Sequence, residues 1–141
     1  MQIVPFQSGH IFDLRLQAAQ QRFAEAFTPE HARALELAGQ AYTAIADGRP
    51  VACSGLVEQW EGRALAWALL DGEMGPHAFL RVSRAVRRYL DATSYRRIEM
   101  QVDADHAQAI RWAALLGFEV ESKRRKFLPD GRDAFEFVRI R

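Results

Sequence analysis

The sequence contains one cysteine, Cys53, so no disulfide can form within the chain. A chain without disulfides is typical of a reducing compartment, and we expect a cytoplasmic location. No apolar stretch approaches the roughly 20 residues that a bilayer-spanning helix needs. Residues 1–5 show neither the basic nor the apolar segment of a secretion signal. These absences argue against a membrane-spanning or exported protein.

Several signatures of chemistry and of charged partners are also missing. Histidine and cysteine do not cluster at metal-ligand spacing, and there is no P-loop and no nucleophile elbow. The net charge is only +1, which gives no general attraction to nucleic acid or to an anionic membrane. The basic run at residues 123–126 is better explained as protection of an edge strand. We therefore expect no metal, no nucleic acid and no membrane among the partners.

The composition that remains is that of an ordinary globular protein. Hydrophobic residues make up 49% of the chain and charged residues 26%, which suits a packed core rather than disorder. There is no repeat, low-complexity tract or linker, so residues 1–141 are expected to form a single domain. Cys53 lies in the apolar run Val51-Ala52-Cys53, which favours a buried side chain over a nucleophile.

Turn and cap residues divide the chain into short elements. Asp47-Gly48 predicts a hairpin turn, since both residues tolerate positive φ. Thr28 before Pro29 predicts a helix start, and Gly55 inside a strand predicts a bulge. Hydrophobic periodicity supplies the remaining elements. The predicted strands span residues 2–6, 41–46, 51–60, 64–70, 97–102, 118–127 and 133–140, and the predicted helices span residues 10–26, 28–38, 77–91 and 105–116.

This order, β-α-α-β-β-β-α-β-α-β-β, indicates an α/β protein with a mixed sheet. The sequence strand, helix, strand over residues 64–102 implies a crossover between parallel strands 64–70 and 97–102. The connections between strands 41–46, 51–60 and 64–70 are short turns, which indicates an antiparallel meander.

A local motif near the C-terminus resembles that of the GNAT N-acetyltransferase superfamily. The motif has Asp-Asn after a strand, then Ala, Leu-Tyr and a closing Leu-Gly-Phe, and the predicted element order is also the GNAT order. The corresponding run here is Asp105-His106, Ala109-Ile110-Arg111-Trp112-Ala113-Ala114-Leu115-Leu116-Gly117-Phe118.

This resemblance implies an acyl-CoA-dependent N-acetyltransferase with the GNAT fold. The cosubstrate would be acetyl-CoA, and the acceptor a primary amine of a small molecule or peptide, without a metal and without a covalent enzyme intermediate. Related proteins often pair, so a homodimer is one expectation.

Residues 104–140 also resemble a phage branch of the fold, the internal virion proteins of certain podophages. That likeness implies the alternative of a catalytically inactive phage or prophage structural or interaction protein, with virion components as partners.

The chain departs from the superfamily pattern at three places. Ala113 occupies the position of the tyrosine that often protonates the leaving thiolate, and His106 occupies the Asn position. The phosphate loop keeps only its last glycine, Gly75. Asp71 and Glu73 place negative charge where a pyrophosphate would arrive, and this opposes binding.

The candidate cosubstrate site is the helix start near residue 76, whose backbone amides at residues 77–79 would face an anion. Acetyl-CoA would thread between strands 64–70 and 97–102. Arginines on the following helix would reach a phosphate. A plain turn ahead of a solvated helix face is the alternative interpretation. The predicted cosubstrate-binding residues are Leu70, Asp71, Gly72, Met74, Gly75, Pro76, His77, Arg81 and Arg84.

The predicted catalytic residues are two candidates for the general base. Glu99 alternates with apolar residues in its strand and so faces inward. His106 has an ordinary pKa that suits base work near neutral pH, although a histidine at a helix start is often only a cap. Either residue alone is more often an ordinary surface group. Three tryptophans are expected to form core or cleft walls, namely Trp60, Trp67 and Trp112.

Overall fold

A computed structural model of the protein describes residues 1–24 and 28–141. The chain divides into two compact units, and each is built from two stretches of sequence. The first unit comprises Met1–Val57 and Ala66–Val86, and the second comprises Glu58–Leu65 and Arg87–Arg141. The expectation of a single domain over residues 1–141 stays a prediction.

The described residues form seven strands and four α-helices, which confirms the mixed α/β class. The strand order in the sheet is β1-β2-β3-β4-β5-β7-β6. The pairs β1–β2, β2–β3, β5–β7 and β6–β7 are antiparallel, and the pair β4–β5 is parallel. A 3-10 helix, Ser8–Asp13, follows β1. The elements are β1 Gln2–Pro5, α1 Ala18–Ala24, α2 Pro29–Leu37, β2 Gln40–Ala46, β3 Arg49–Trp60, β4 Arg63–Leu70, α3 Pro76–Ala92, β5 Arg97–Asp103, α4 Ala107–Leu115, β6 Glu119–Arg124 and β7 Ala134–Ile140.

Local cap and turn signals are confirmed where they were strongest. The Thr28 hydroxyl accepts a hydrogen bond from the His31 amide at 3.1 Å and caps α2. Asp47 and Gly48 both have positive φ, 51° and 77°, which matches the predicted hairpin turn between β2 and β3. Pro76 is the first residue of α3, where its missing N–H costs no helical hydrogen bond.

The single helix predicted over residues 10–26 is wrong at residues 14–17, and its end at residues 25–26 lies outside the described residues. The chain there is extended, and Leu16 forms an isolated antiparallel bridge with Asp71. The Gly72 amide donates to the Arg15 carbonyl at 2.6 Å. Backbone pairing with the loop after β4 therefore replaces the helical hydrogen bonds that the periodicity predicted.

The bulge predicted at Gly55 is absent from the β2–β3 ladder. Gly55 pairs in register with Ala41, and the register shift of the β2–β3 ladder lies between Ala44 and Ile45. A Cβ at Gly55 would lie 2.7 Å from the Ala41 Cβ and 2.7 Å from the Gln40 carbonyl oxygen. Glycine is needed here because the two strands approach too closely for a side chain.

The core of the first unit packs the 3-10 helix and α2 against strands β2, β3 and β4. Cys53 lies inside it, fully buried, which confirms the structural interpretation of this residue. Burial raises the pKa of the Cys53 thiol to about 11, although the Thr43 side chain opposes the shift. The thiol is therefore protonated and unreactive near neutral pH. The buried members of this core are Phe6, Ile11, Leu14, Ala32, Leu35, Ala41, Cys53 and Leu69.

In the second unit, β5 pairs along its whole length with β7 but only briefly with β4. The parallel pairs join residues 63–65 to residues 97–99, which confirms the predicted crossover pair. Strand β6 ends the sheet order, and all six of its residues are exposed. Its charged sequence fits the predicted protection of an edge.

The tryptophans divide between the core and the surface. Trp112 is buried and Trp67 packs on the core of the first unit, as expected. Trp60 is 58% exposed and stacks against the Arg63 guanidinium, so it is not a core residue, and its part in a cleft wall stays a prediction. Within residues 1–24 and 28–141, no helix has the length and the apolar character needed to cross a membrane.

Candidate functional site

The loop after β4 is organised around Asp71, whose side chain is completely buried. Its carboxylate accepts hydrogen bonds from the Glu73 amide at 2.8 Å and from the Arg15 amide at 3.3 Å. It also forms ion pairs with the Arg15 and Arg49 guanidinium groups at 3.4 and 3.1 Å. The second acidic residue of the loop, Glu73, pairs with Arg15 as well. We call Arg15, Arg49, Asp71 and Glu73 the loop cluster.

This cluster changes the expectation for Asp71, whose charge was expected to oppose a pyrophosphate. Burial alone would raise the pKa of Asp71, but the hydrogen bonds from Glu73 and Arg15 hold that pKa below its usual value. The carboxylate is therefore charged, and it points into the protein against two arginines rather than toward an arriving anion. Because two arginines face two carboxylates, the loop cluster carries no net charge.

Most backbone amides of the loop already have acceptors within the protein. The Leu70 amide donates to the Gln20 side chain at 3.3 Å. The Asp71 amide donates to the Val51 carbonyl, and the Met74 amide to the Asp71 carbonyl. With the Gly72 amide bound to Arg15, four of the predicted cosubstrate-binding residues, Leu70, Asp71, Gly72 and Met74, offer no free amide to a ligand. These hydrogen bonds fix the shape of the loop.

The start of α3 differs from the loop because its amides remain open. Among the described residues, no acceptor binds the amides of Gly75, His77 or Ala78. The Phe79 amide, expected to be open, donates to the Gly75 carbonyl at 3.0 Å. The first turn of α3 contains no carboxylate, and the space around Gly75 is empty. Three amides and the positive end of the helix dipole can therefore meet an anion.

Arg81 and Arg84 lie further along α3, and both side chains are exposed. No described residue forms an ion pair with either of them, in contrast to Arg87, which pairs with Asp91. They add positive charge to the part of α3 that follows the open amides. The structure does not tie them to the loop by any hydrogen bond.

Glu99, the first candidate for the base, is buried within a second cluster of ion pairs. The Arg63 guanidinium binds both carboxylate oxygens, at 2.6 and 2.8 Å, and Arg97 donates to one of them at 2.6 Å. Arg97 also binds both oxygens of Glu121, at 2.8 and 2.5 Å. We call Arg63, Arg97, Glu99 and Glu121 the sheet cluster.

The sheet cluster makes Glu99 a weak base. Hydrogen bonds from the Arg63 side chain, followed by those from Arg97, lower the pKa of Glu99 to about 2, although burial opposes the shift. A carboxylate with this pKa does not hold a proton taken from an amine near neutral pH. The alternation in β5 correctly predicted that Glu99 faces inward, but it did not reveal the two arginines that occupy the carboxylate.

His106, the second candidate, precedes α4, and its side chain makes no capping hydrogen bond. Burial lowers the pKa of His106, and the charge of Asp103 opposes this shift. The imidazole is therefore neutral near pH 7, which is the form that accepts a proton.

Ala113 is completely buried and has no proton to donate. Among the described residues, no three His, Cys, Asp or Glu side chains are grouped so as to hold a metal ion.

Two residues at the loop were missed by the sequence analysis. Arg15 and Arg49 reach Asp71 across 56 and 22 positions of the chain, respectively. No local pattern marks either residue, because both lie outside the motif that drew attention to the loop. Only an expectation that a buried carboxylate needs a cation would have prompted a search for them.

Comparison with known proteins places this geometry in a recognised fold. No protein-family model and no curated protein matches the sequence. Solved structures do match, including Ard1 from Thermoplasma volcanium, with a TM-score of 0.82, 17% identity and coverage of 99% of this chain and 96% of that chain. A GNAT-family acetyltransferase from Bacillus anthracis matches with a TM-score of 0.72 and 13% identity, over 98% and 93% of the two chains. The chain has the GNAT fold.

A third structure with the GNAT fold is the ribosomal-protein-S18-alanine N-acetyltransferase from Escherichia coli. It matches with a TM-score of 0.68 and 17% identity, over 97% of this chain and 91% of that chain. Identities this low show a shared fold and do not carry an activity from one chain to another. The GNAT resemblance noted in the sequence is thereby confirmed for the fold, whereas the phage branch gains no support from these structures.

Proposed function

We propose that the protein is an N-acetyltransferase that transfers the acetyl group of acetyl-CoA to a primary amine. The observation that carries the proposal is the open N-terminus of α3, with the unbound amides of Gly75, His77 and Ala78 and no carboxylate in the first turn. Such a helix start favours a phosphate anion, because amide donors and the helix dipole act together. In this proposal the pyrophosphate of acetyl-CoA binds there.

The other predicted cosubstrate-binding residues have two kinds of role. Arg81 and Arg84 are exposed cations that neutralise phosphate charge of the nucleotide. Leu70, Asp71, Gly72 and Met74 hold the loop in place, and Pro76 fixes the start of the helix. Gly75 leaves room for the ligand, since a side chain at this position would project into empty space.

The proposed reaction needs one base and no covalent intermediate. The amine nitrogen attacks the thioester carbon, the C–N bond forms, and the C–S bond breaks to release the CoA thiolate, while the amine proton passes to the base. We assign the base to His106, because its lowered pKa keeps it neutral near pH 7. With Ala113 unable to donate, the thiolate leaves as an anion, which is tolerable because an ordinary thiol has a pKa of about 8.5.

The acceptor is proposed to be an amine of a small molecule or of a peptide. The Escherichia coli protein with this fold is named as an alanine N-acetyltransferase acting on a ribosomal protein, which is an example of the peptide class. A homodimer and a cytoplasmic location remain predictions from the sequence.

Titration with acetyl-CoA tests the site, by calorimetry and by thermal shift. Micromolar binding is expected, and saturating ligand would then raise the melting temperature through linkage. Gly75→Glu places a carboxylate beside the open amides and is expected to abolish binding. Gly75→Gln is the matched control of almost equal size, and a Cβ at this position meets no atom within 4 Å. Equal affinities of the two variants would show that the pyrophosphate binds elsewhere.

A non-catalytic protein with the GNAT fold is the second candidate, including the phage or prophage protein that the sequence suggested. Its support is the absence of a proton donor at Ala113 and the occupation of Glu99 by two arginines. Release of free thiol from acetyl-CoA, measured with a panel of small amines and peptide N-termini, separates the two functions. No binding at millimolar acetyl-CoA would favour the second candidate.

A further inference from the structure

Arg15 is the one residue of the loop cluster that contacts both of its carboxylates. Its backbone amide and Nε bind the buried Asp71 carboxylate, and its Nη1 binds Glu73. Its carbonyl accepts from the Gly72 amide at 2.6 Å. The main chain of Arg15 is therefore fixed against the loop by hydrogen bonds that do not involve the end of its side chain.

The two acidic partners of Arg15 differ in how easily a ligand could replace them. Asp71 has no exposed surface and accepts two backbone amides, so it cannot move without disrupting the loop. The Glu73 side chain is 64% exposed and forms an ion pair with Arg15. An exposed ion pair contributes little to stability and is readily exchanged. Glu73 is thus the partner that an anion in solution would displace.

The position of Glu73 brings the Arg15 guanidinium close to the proposed pyrophosphate site. Glu73 precedes Gly75 by two residues, and their Cα atoms are at most about 7.6 Å apart, since consecutive Cα atoms are 3.8 Å apart. The Arg15 side chain is 47% exposed, so solvent reaches part of it. A guanidinium and a phosphate form charge-assisted, bidentate hydrogen bonds. These bonds are at least as strong as those of an exposed arginine–carboxylate pair.

We propose that Arg15 is a ligand of the acetyl-CoA pyrophosphate and that Glu73 occupies its guanidinium until the cosubstrate binds. This inference rests on the proposed function, because it takes the start of α3 as the pyrophosphate site. When the diphosphate arrives, Glu73 turns toward solvent and the Nη groups of Arg15 bind phosphate oxygens. Asp71 keeps its bonds to Nε and to the backbone, so the loop is unchanged. Glu73 therefore weakens cosubstrate binding by competing for Arg15, although it does not itself contact the bound diphosphate.

Two single substitutions with opposite signs test the proposal by calorimetric titration of the full chain with CoA. Arg15→Gln removes a charge-assisted contact and is expected to weaken binding about 10-fold. Glu73→Gln removes the competing carboxylate and is expected to tighten binding about 3-fold. In the double variant the gain from Glu73→Gln should shrink, because the residue for which Glu73 competes is gone. Unchanged affinity in both single variants would overturn the proposal.

Arg49→Gln is the matched control for a purely structural effect. Arg49 pairs with the same Asp71 oxygen, at 3.1 Å, and donates to the Asp13 carbonyl, but it does not contact Glu73. We expect a loss of thermal stability like that of Arg15→Gln, with less than a twofold change in CoA affinity. If Arg49→Gln weakens CoA binding as much as Arg15→Gln does, the cluster acts only by ordering the loop, and Arg15 is not a ligand.

The choice of ligand identifies the phosphate group that Arg15 binds. Titration with 3′-dephospho-CoA, which keeps the pyrophosphate, should show the same loss in Arg15→Gln as titration with CoA. If the loss disappears with 3′-dephospho-CoA, Arg15 binds the 3′-phosphate and the proposal is wrong. Failure of the proposed function looks different, since the unaltered protein would then bind neither ligand. If instead Gly75→Glu abolishes binding while the Arg15 and Glu73 variants match the unaltered protein, only this inference fails.

Discussion

The loop cluster and the sheet cluster contain the same kinds of groups in two different settings. Each has a buried carboxylate, two arginines and a second carboxylate that is more exposed. In the first unit these are Asp71 and Glu73, and in the second unit they are Glu99 and Glu121. In both clusters the pKa of the buried carboxyl is lowered, so both buried acids are charged near neutral pH.

The difference lies in what each buried carboxylate holds in place. Asp71 accepts two backbone amides of separate segments and so orders a loop. Among the described residues, the Glu99 carboxylate accepts only from guanidinium groups, those of Arg63 in β4 and Arg97 in its own strand, β5. A buried, charged carboxylate therefore does not by itself indicate a catalytic residue. Its backbone contacts decide whether it can influence a ligand.

Removing each buried carboxylate should have the largest effect and should separate the two clusters. Asp71→Ala and Glu99→Ala each remove a buried carboxylate that pairs with two arginines, and we expect each to cost about 3 kcal/mol of unfolding free energy. Only Asp71→Ala should also weaken acetyl-CoA binding, because only Asp71 orders the loop before α3. Urea denaturation and calorimetry measure the two effects. Wild-type affinity in a destabilised Asp71→Ala protein would contradict the assigned role of the loop cluster.

Catalysis should depend on His106 and not on the sheet cluster. His106→Gln is expected to lower kcat about 100-fold, since it removes the proposed general base. Glu99→Gln should change kcat by less than about threefold at a temperature where the variant is folded, because its carboxylate is a weak base. The value of kcat/KM should decrease as the pH falls, with an apparent pKa below the usual 6.5 of histidine. The reverse ranking of the two variants would restore Glu99 as the base.

The acid dependence of stability should reveal the sheet cluster. The Glu99 carboxyl has a pKa of about 2 in the folded protein, against its usual 4.5. Its contribution is therefore fully present above pH 4.5 and is lost as the pH falls toward 2. The stability difference between the wild-type protein and Glu99→Gln should be constant above this window and shrink within it. The corresponding difference for Asp71→Asn should begin to shrink at lower pH, below 3.8. A difference that does not depend on pH would refute the ion-pair account.

The smallest effects on stability are expected for the outer carboxylates. Glu73→Gln and Glu121→Gln each remove one exposed partner of an arginine, and we expect less than about 1 kcal/mol from either change. The two variants should differ in CoA affinity, which increases for Glu73→Gln and is unchanged for Glu121→Gln. An equal effect of both on affinity would point to long-range electrostatics rather than to competition for Arg15.

The sequence determined those features that depend on neighbours a few residues apart. The Thr28 cap, the Asp47-Gly48 turn and the start of α3 at Pro76 each follow from the conformational preference or the missing donor of one or two residues. The element order followed from these signals and from hydrophobic periodicity. The GNAT fold was expected because that order and the motif at residues 105–118 resemble the superfamily.

Only the tertiary structure decided which polar groups have partners. Arg15 and Asp71 are 56 positions apart, and Arg63 and Glu99 are 36 positions apart, so no local pattern joins them. Long-range contacts of the loop also replaced the helix predicted at residues 14–17 and bound the amides of Leu70, Asp71 and Gly72, whereas those of Gly75, His77 and Ala78 stayed open. Whether a charged side chain has an ion-pair partner, or a backbone amide stays free, depends on which distant segments lie beside it. The packing of the whole fold sets those neighbours, and the adjacent residues in the sequence do not.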